Sequence, residues 1–443
     1  MAAGCFSPDR GEKRLSKGRA GLRLKTPWYH GWNIVGICIL MQMTVLGVMV
    51  NCFSFFLEGW SRDFHQPISL FVLGISFFAI PAACCMPFTG WVVERWSLAR
   101  VMLIGYLAVA AAYVLIGFAP NGWAIVLVYV LLLPPAVTAS AGIPSQTLVS
   151  RWFVKRRAFA FSLSALGLVL AGVLYPPVVV GLIDSVGWRA TWWIFGAFNC
   201  VVIGTLAWIA LRDRPGPVEG AEYLGGEDHH VLADTGSTIG FREIARRRNF
   251  WLAVMCFVPA VAANNVLSNN FAPYAKQRSV DVETVAQLVV VFNIAATIGK
   301  LTAGWLADRI GNRVPLLLLT SLAGAGALLL TFAHGAIAIG GGAILLAASQ
   351  GMWVMLASCL ASEFGNRDFP RAYGFACITT VLTAATPPAV AYSAELTGSY
   401  TGGFAATTIS CLAGMVAAFL YSDSKKAVLG LADEAELTLI NRT

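Results

Sequence analysis

The sequence predicts an all-α integral membrane protein of twelve spanning helices, built as two six-helix repeats with both termini in the cytoplasm. Three observations carry that prediction. The 443 residues are 57% hydrophobic and only 12% charged, with a mean hydropathy of +0.70, whereas soluble domains are about a quarter charged. Apolar runs long enough to cross a bilayer, ~20 residues, recur from Trp32 almost to Tyr421. Landmark residues of the first half return in the same order in the second, at a nearly constant offset.

Taken in order, the runs place spans near 32–57, 69–92, 100–119, 122–147, 158–183 and 188–211. A second set follows near 250–275, 284–307, 314–333, 336–361, 371–394 and 400–421. The runs are too long, and too little alternating, for the strands of a membrane barrel. This divides the chain into a basic cytoplasmic tail (1–31), a six-helix bundle (32–211), a cytoplasmic linker (212–249), a second six-helix bundle (250–421) and a cytoplasmic tail (422–443). The linker mixes Pro, Gly and both charge signs. At its end, Phe241, Ile244 and Ala245 are spaced for one apolar face, predicting a short helix on the membrane surface.

Charge sets the orientation. With both termini on one face, 26 of the 31 Lys and Arg residues fall on that face or its loops; Arg62, Arg189, Lys276 and Arg278 lie opposite, and Lys300 lies inside a span. The positive-inside rule makes the basic face cytoplasmic. It also accounts for the net charge of +8 without nucleic acid, since no basic patch interleaved with aromatics occurs. The basic N-terminus lacks the apolar core of a signal peptide. The ten cysteines are scattered, nine of them in apolar runs, and suggest neither disulfide nor metal. His229-His230 stand among linker acids with too few ligands nearby for a metal. No phosphate loop or nucleophile elbow is present, so neither an enzyme nor a cofactor is expected.

The repeat is clearest at GWVVERWSLAR (Gly90–Arg100) and GWLADRIGNR (Gly304–Arg313), which stand 214 residues apart. Arg157 and Arg371 share that offset, Pro176-Pro177 returns as Pro387-Pro388 at 211, and Asn51–Glu58 as Asn269–Lys276 at 218. Parallel internal repeats around a cavity are a recurring plan of secondary transporters. Gly90 and Gly304 allow another helix to approach closely. Glu94-Arg95 and Asp308-Arg309 emerge at the cytoplasmic ends, where an acid can pair with Arg or cap a neighbouring helix. These contacts read either as static staples or as a gate that forms in one conformation and breaks in another.

These paired loops, with the long linker and the six-plus-six arrangement, resemble the major facilitator superfamily over about 28–421. Tyr29-His30-Gly31-Trp32-Asn33-Ile34-Val35 and Trp152-Phe153-Val154-Lys155-Arg156-Arg157-Ala158 resemble two motifs of its monocarboxylate transporter and oxalate–formate antiporter families. The first loop departs from the superfamily pattern, with Glu94 for Asp and Trp96-Ser97-Leu98-Ala99 for a Gly and a second basic residue.

One ionisable residue lies well inside a span. Lys300 stands eight residues before Asp308, about 12 Å of helix. A Lys in hydrocarbon costs several kcal/mol unless it snorkels to the interface, finds a partner or faces a wet cavity. No Asp or Glu is comparably deep, and its repeat-equivalent is Met86. Asn293, Thr297 and Lys300 form one polar stripe at i, i+4 and i+7. The resemblance implies a carboxylate-binding cation at this position. It also implies an acid four residues earlier and a Lys near the outer end of the first helix; this chain has Ala296 and Val50-Asn51-Cys52.

Other polar residues on the spans are Asn265 and Asn269 with their neighbours Asn264 and Asn270, Gln42, Asn51, Gln146, Tyr175, Gln350 and Trp353. Each reads equally as cavity lining or as interhelical glue. The expected function is secondary transport of a small organic anion, a monocarboxylate above all, by proton symport or anion exchange. The expected setting is the plasma or bacterial inner membrane, with the chain acting as a monomer. The substrate contacts would be Lys300, Asn293, Thr297, Asn265, Asn269, Tyr175, Gln350 and Trp353. The cytoplasmic gate would be Gly90, Glu94, Arg95, Gly304, Asp308, Arg309, Arg157 and Arg371. Two alternatives stay open: an exporter of neutral or cationic compounds, which would want a deep acid, and a receptor that binds without transporting.

Overall fold

The structure is a computed structural model that describes residues 29–153, 156–205, 239–278, 280 and 282–423. The first 28 residues, Val154-Lys155, the end of the sixth span, most of the linker with His229-His230, and the last twenty residues lie outside the described residues.

The first span is α1 (His30–Leu46) and α2 (Phe53–Phe64), joined by a π-helical segment, Gly47–Asn51. Then come α3 (Ile68–Arg95) and α4 (Leu98–Gly117). The fourth span is broken into α5 (Gly122–Leu127), α6 (Leu133–Val137) and α7 (Ile143–Trp152) by two further π segments. The fifth begins as α8 (Arg157–Ser164) and continues through α9 (Leu166–Phe198), which also carries the sixth. After the linker follow α10 (Phe241–Ile244), α11 (Arg248–Gln277), α12 (Val282–Ile310) and α13 (Arg313–Phe332). The chain closes with α14 (Gly335–Ala348), α15 (Met352–Cys377), α16 (Thr380–Thr397) and α17 (Thr401–Leu420).

Ten continuous helical stretches are long and apolar enough to cross a membrane, and two of them account for four crossings. Arg157–Val201 has 45 residues and Gly335–Thr397 has 63, each more than twice a ~30 Å hydrocarbon core at 1.5 Å per residue. Both turn back at a glycine. Gly187 (φ 82°, ψ 165°) and Gly365 (φ 67°, ψ −177°) adopt conformations that an L side chain strongly resists. The second turn lies within the loop the sequence suggests, 362–370, but the helix resumes sooner. Asn366–Pro370, read as loop because it is polar, already belongs to the eleventh span.

Small residues bring the helices close. A Cβ on Gly105 would lie 2.6 Å from Ser140 N, one on Gly167 2.3 Å from Ile39 O, and one on Gly326 2.9 Å from Gly342 O. Outward, large apolar side chains such as Leu131, Val173, Ile294 and Val416 are exposed, as a lipid-facing belt requires. The core at the outer end of the first half is aromatic, with Phe56, Trp60, Tyr113 and Trp192 fully buried. There Tyr113 donates to Val45 O at 2.6 Å, satisfying a carbonyl beside the π segment, where the helical ladder is disrupted. The linker's last turn, α10, packs on protein as well as facing outward: Ile244 is buried, and the Phe241 ring meets Phe375 edge-on at 5.8 Å.

Candidate functional site

The repeated cytoplasmic phrases meet the opposite half in both cases. Gly90 on α3 lies so close to the start of the eleventh span that an added Cβ would stand 2.4 Å from Pro370 O. Gly304 on α12 lies equally close to α8, 2.4 Å from Ala158 O. The neighbouring acids use different chemistry. Glu94 forms a buried ion pair with Arg371, whose guanidinium also donates to Ile239 O at the end of the linker. Asp308 instead accepts from the backbone N–H groups of Ala158 and Phe159, both at 2.9 Å, capping the first turn of α8. Arg157 donates to Phe153 O and, across the halves, to Ala361 O at 2.9 Å. The two remaining arginines stack on their own helices: Arg95 over Trp91 and Arg309 over Trp305, each 4.2 Å from the ring centroid.

The two family-like motifs, more than a hundred residues apart, also pack together. The Tyr29 hydroxyl donates to Trp152 O, and the Tyr29 and Trp32 rings meet Phe153 at 5.5 and 4.9 Å. The first motif thus braces the loop from which Arg157 reaches the second half.

Lys300 is 7% exposed and makes no hydrogen bond or ion pair among the described residues. Its direction follows from its neighbours on α12. Gly299 and Ala303 face the tenth span, where Gly299 abuts Ala348 O and Ala303 abuts Gly351. Gly304 faces α8. At ~100° per residue Lys300 lies between these two directions, aimed at the seam between the halves.

The same contacts fix depth. The Gly299–Ala348 approach puts Gln350 level with Lys300. Asn264 donates to Ser349 Oγ at 2.8 Å, bringing Asn265 of α11 to that level too. On the first half, Gly304 touches Ser162, so Lys300, one turn further from the cytoplasm, is level with the end of α8. There Gln146 of α7 donates to Ser164 Oγ at 3.5 Å. Lys300, Asn265, Gln350 and Gln146, on four helices, therefore stand in one tier by depth.

The other expected contacts fall elsewhere. Thr297 is one turn and Asn293 two turns further out on α12, about 10 Å from Lys300 at most, their side chains donating to their own helix at Asn293 O and Val289 O. Tyr175 lies thirteen residues beyond Ser162 on the fifth span, so it stands roughly 13 Å further out than Lys300. It is buried against Gly47, its hydroxyl unpartnered. Asn269, exposed, donates to Asn265 O at 2.9 Å. Trp353 packs edge-on to Phe257 at 4.8 Å. Asn265 spends its amide on Thr383 O at 3.3 Å, and Asn270 on Pro387 O at 3.3 Å.

The family model of the Major Facilitator Superfamily matches residues 35–376 and 259–440. The chain belongs to the Major Facilitator Superfamily. Superfamily relatives of this chain include the membrane sensor protein UhpC of Escherichia coli, 29% identical over 242 residues, which are 52% of this chain and 54% of UhpC. Monocarboxylate transporter 12 of Rattus norvegicus is 24% identical over 303 residues, 63% of this chain and 61% of that protein. The chain thus spans between half and two thirds of these relatives. The crystal structure of the human organic anion transporter MFSD10 superposes with a TM-score of 0.66 at 14% identity, covering 88% of this chain and 99% of that one. The fold is the all-α multi-pass membrane architecture of superfamily transporters.

Proposed function

We propose that this superfamily member is a secondary carrier of a small organic monocarboxylate, working by alternating access as a proton symporter or an anion exchanger. The observation that carries this reading is Lys300, a cation buried within a span with no acidic partner among the described residues. A carboxylate supplies the missing charge, and a buried unpaired charge is costly enough to make the pairing specific. Asn265 and Gln350 complete the tier around it, with Thr297 at its outer edge. The inter-half contacts of Arg371, Arg157 and Asp308 all lie at the cytoplasmic end, which fits a carrier closed to the cytoplasm. Rocking of the two six-helix halves would break them and expose Lys300 to the other side.

The test is flux of labelled mono- and dicarboxylates into liposomes carrying the purified chain, with and without an inward proton gradient. Gradient-stimulated monocarboxylate uptake is expected for a symporter, and uptake only against internal carboxylate for an exchanger. Absence of both from folded protein would overturn the reading. A second reading is a ligand sensor, favoured by the likeness to a protein named as a membrane sensor; it predicts saturable binding of the same anion with no flux.

A further inference from the structure

Gln146 stands in the same tier as Lys300 but on the opposite half, and the Ser164 hydroxyl beside it favours one orientation of its amide. The Ser164 hydroxyl donates to Phe161 O at 2.8 Å. Its single proton is thereby used, so toward Gln146 it can only accept, and the group it accepts from is Nε2 at 3.5 Å. The carbonyl Oε1 is left over, buried and without a hydrogen-bond partner. A buried acceptor left unpaired costs about 1–3 kcal/mol, and such groups in native structures need an explanation.

The local fold aims this residue deliberately. A π segment, Thr138–Gly142, interrupts the fourth span immediately before α7, whose second residue is Pro144. Such bulges rotate the following turn and occur frequently at functional sites. Between Ile143 and Ser150, Gln146 is the one residue that is not fully buried. Its other neighbours Ser145, Thr147 and Ser150 all return their hydroxyls to backbone carbonyls of the same span. They are satisfied, and Gln146 is not.

The tier therefore offers unmet groups on both halves: on the second, an ammonium that needs an anion, near which Asn264 also keeps a buried oxygen, and on the first, the Gln146 carbonyl oxygen that needs a donor. We propose that Gln146 is a specificity-determining residue that accepts a hydrogen bond from a hydroxyl of the substrate, so that the preferred ligand is a hydroxycarboxylate bridging Lys300 and Gln146. This rests on the carboxylate reading of Lys300 and narrows it. A ligand holding both groups also ties the first half to the second, which a simple carboxylate on Lys300 alone does not.

The experiment measures saturable binding and uptake of matched pairs by the full chain in liposomes: glycolate against acetate, and 3-hydroxybutyrate against butyrate. Expected is a preference of roughly tenfold or more for the hydroxy member of at least one pair, since a site that hydrogen-bonds a substrate hydroxyl discriminates strongly against its absence. Gln146→Leu is expected to reduce that ratio to about one, with a far larger loss for the hydroxy member than for its unhydroxylated partner; Gln146→Met serves if the leucine variant does not fold. Lys300→Gln is expected to lose both members equally. A hydroxyl preference that survives at Gln146→Leu or Gln146→Met overturns the role of Gln146 and leaves the carboxylate reading standing. Equal losses of both members at Gln146 also overturn it, because they mark a partner of Lys300 rather than of the substrate. Wild-type protein that binds neither member ends both readings.

Discussion

The repeat-equivalent helices α3 and α12 carry nearly the same cytoplasmic phrase and meet the opposite half at the same depth, yet they have diverged in what they do. On α3 the acid, Glu94, is buried in a side-chain ion pair with Arg371 and, through it, with the linker end. On α12 the acid, Asp308, is exposed and caps a helix through backbone N–H groups. Deeper in, α3 carries Met86, whose carbonyl lies against Gly374, while α12 carries Lys300. The glycines that set the helix-to-helix distance are kept in both copies; charge has been redistributed between them. Packing is thus the shared inheritance of the duplication, and the two halves differ in chemistry.

The largest effect is expected where the difference is largest. Lys300→Ala should lower saturable carboxylate uptake by two orders of magnitude or more, the scale of removing one partner of a desolvated charge pair. Gel-filtration behaviour should stay that of the wild type. The exchange Lys300→Met with Met86→Lys should not restore uptake. Met86, whose backbone carbonyl lies against Gly374, is on the half that carries neither Asn265 nor Gln350. Restored uptake in the double variant would show that the two helices are functionally interchangeable and would erase the asymmetry.

How much of this was legible in the sequence depended on whether a feature was local. The spans were legible because hydrocarbon thickness fixes run length, and Lys300 because one charge in an apolar run stands out. The turn at Gly365 falls within the expected loop, but the helix resumes sooner than expected: Asn366, Arg367 and Asp368 look like a loop, yet Asp368 is buried and accepts from the linker at Ile239 N, 3.1 Å. The linker helix was expected on the membrane surface because periodicity shows an apolar face without showing what covers it. Among the polar residues, nothing in the sequence separates Asn270, whose amide is tied to Val266 O and Pro387 O, from Gln146 and Asn264, which each keep an orphan oxygen. Satisfaction is a property of the packed molecule. Likewise Tyr175, polar and central by sequence, stands at a different depth from Lys300.

The two gate acids offer the next effect. Glu94→Gln leaves Arg371 buried without its counter-charge, a loss of about 3–5 kcal/mol when a buried pair is broken. Asp308→Asn keeps only one of the two acceptor oxygens that cap α8 and turns an NH2 towards the other N–H, so its cost should be about 1–2 kcal/mol, less than that of the broken pair. Both states of the carrier can be followed with single cysteines placed on the cytoplasmic face of the seam. Labelling should rise steeply in Glu94→Gln, whose closed form is weakened, and less in Asp308→Asn. The reverse order would mean that the exposed cap, and not the buried pair, holds the cytoplasmic side shut.

The smallest effect is expected where the two copies agree. Arg95 and Arg309 look like gate charges in the sequence, but each guanidinium lies 4.2 Å from the centroid of a Trp one turn back on its own helix, Trp91 or Trp305. Both arginines are exposed, and a cation–π contact in such a place contributes about 0.5–1 kcal/mol. Because the stack is internal to one helix, it braces the end that carries Glu94 or Asp308 without itself crossing the seam. Arg95→Ala and Arg309→Ala should therefore behave alike, with a melting temperature lowered by no more than a few degrees and unchanged uptake. Replacement by Lys, which keeps the charge but not the planar stack, should give most of the same small loss. If either alanine variant instead opened the cytoplasmic side as Glu94→Gln is expected to, that arginine would have to reach across the halves in some other state of the carrier, and the bracing role assigned to the stacked pair would fail.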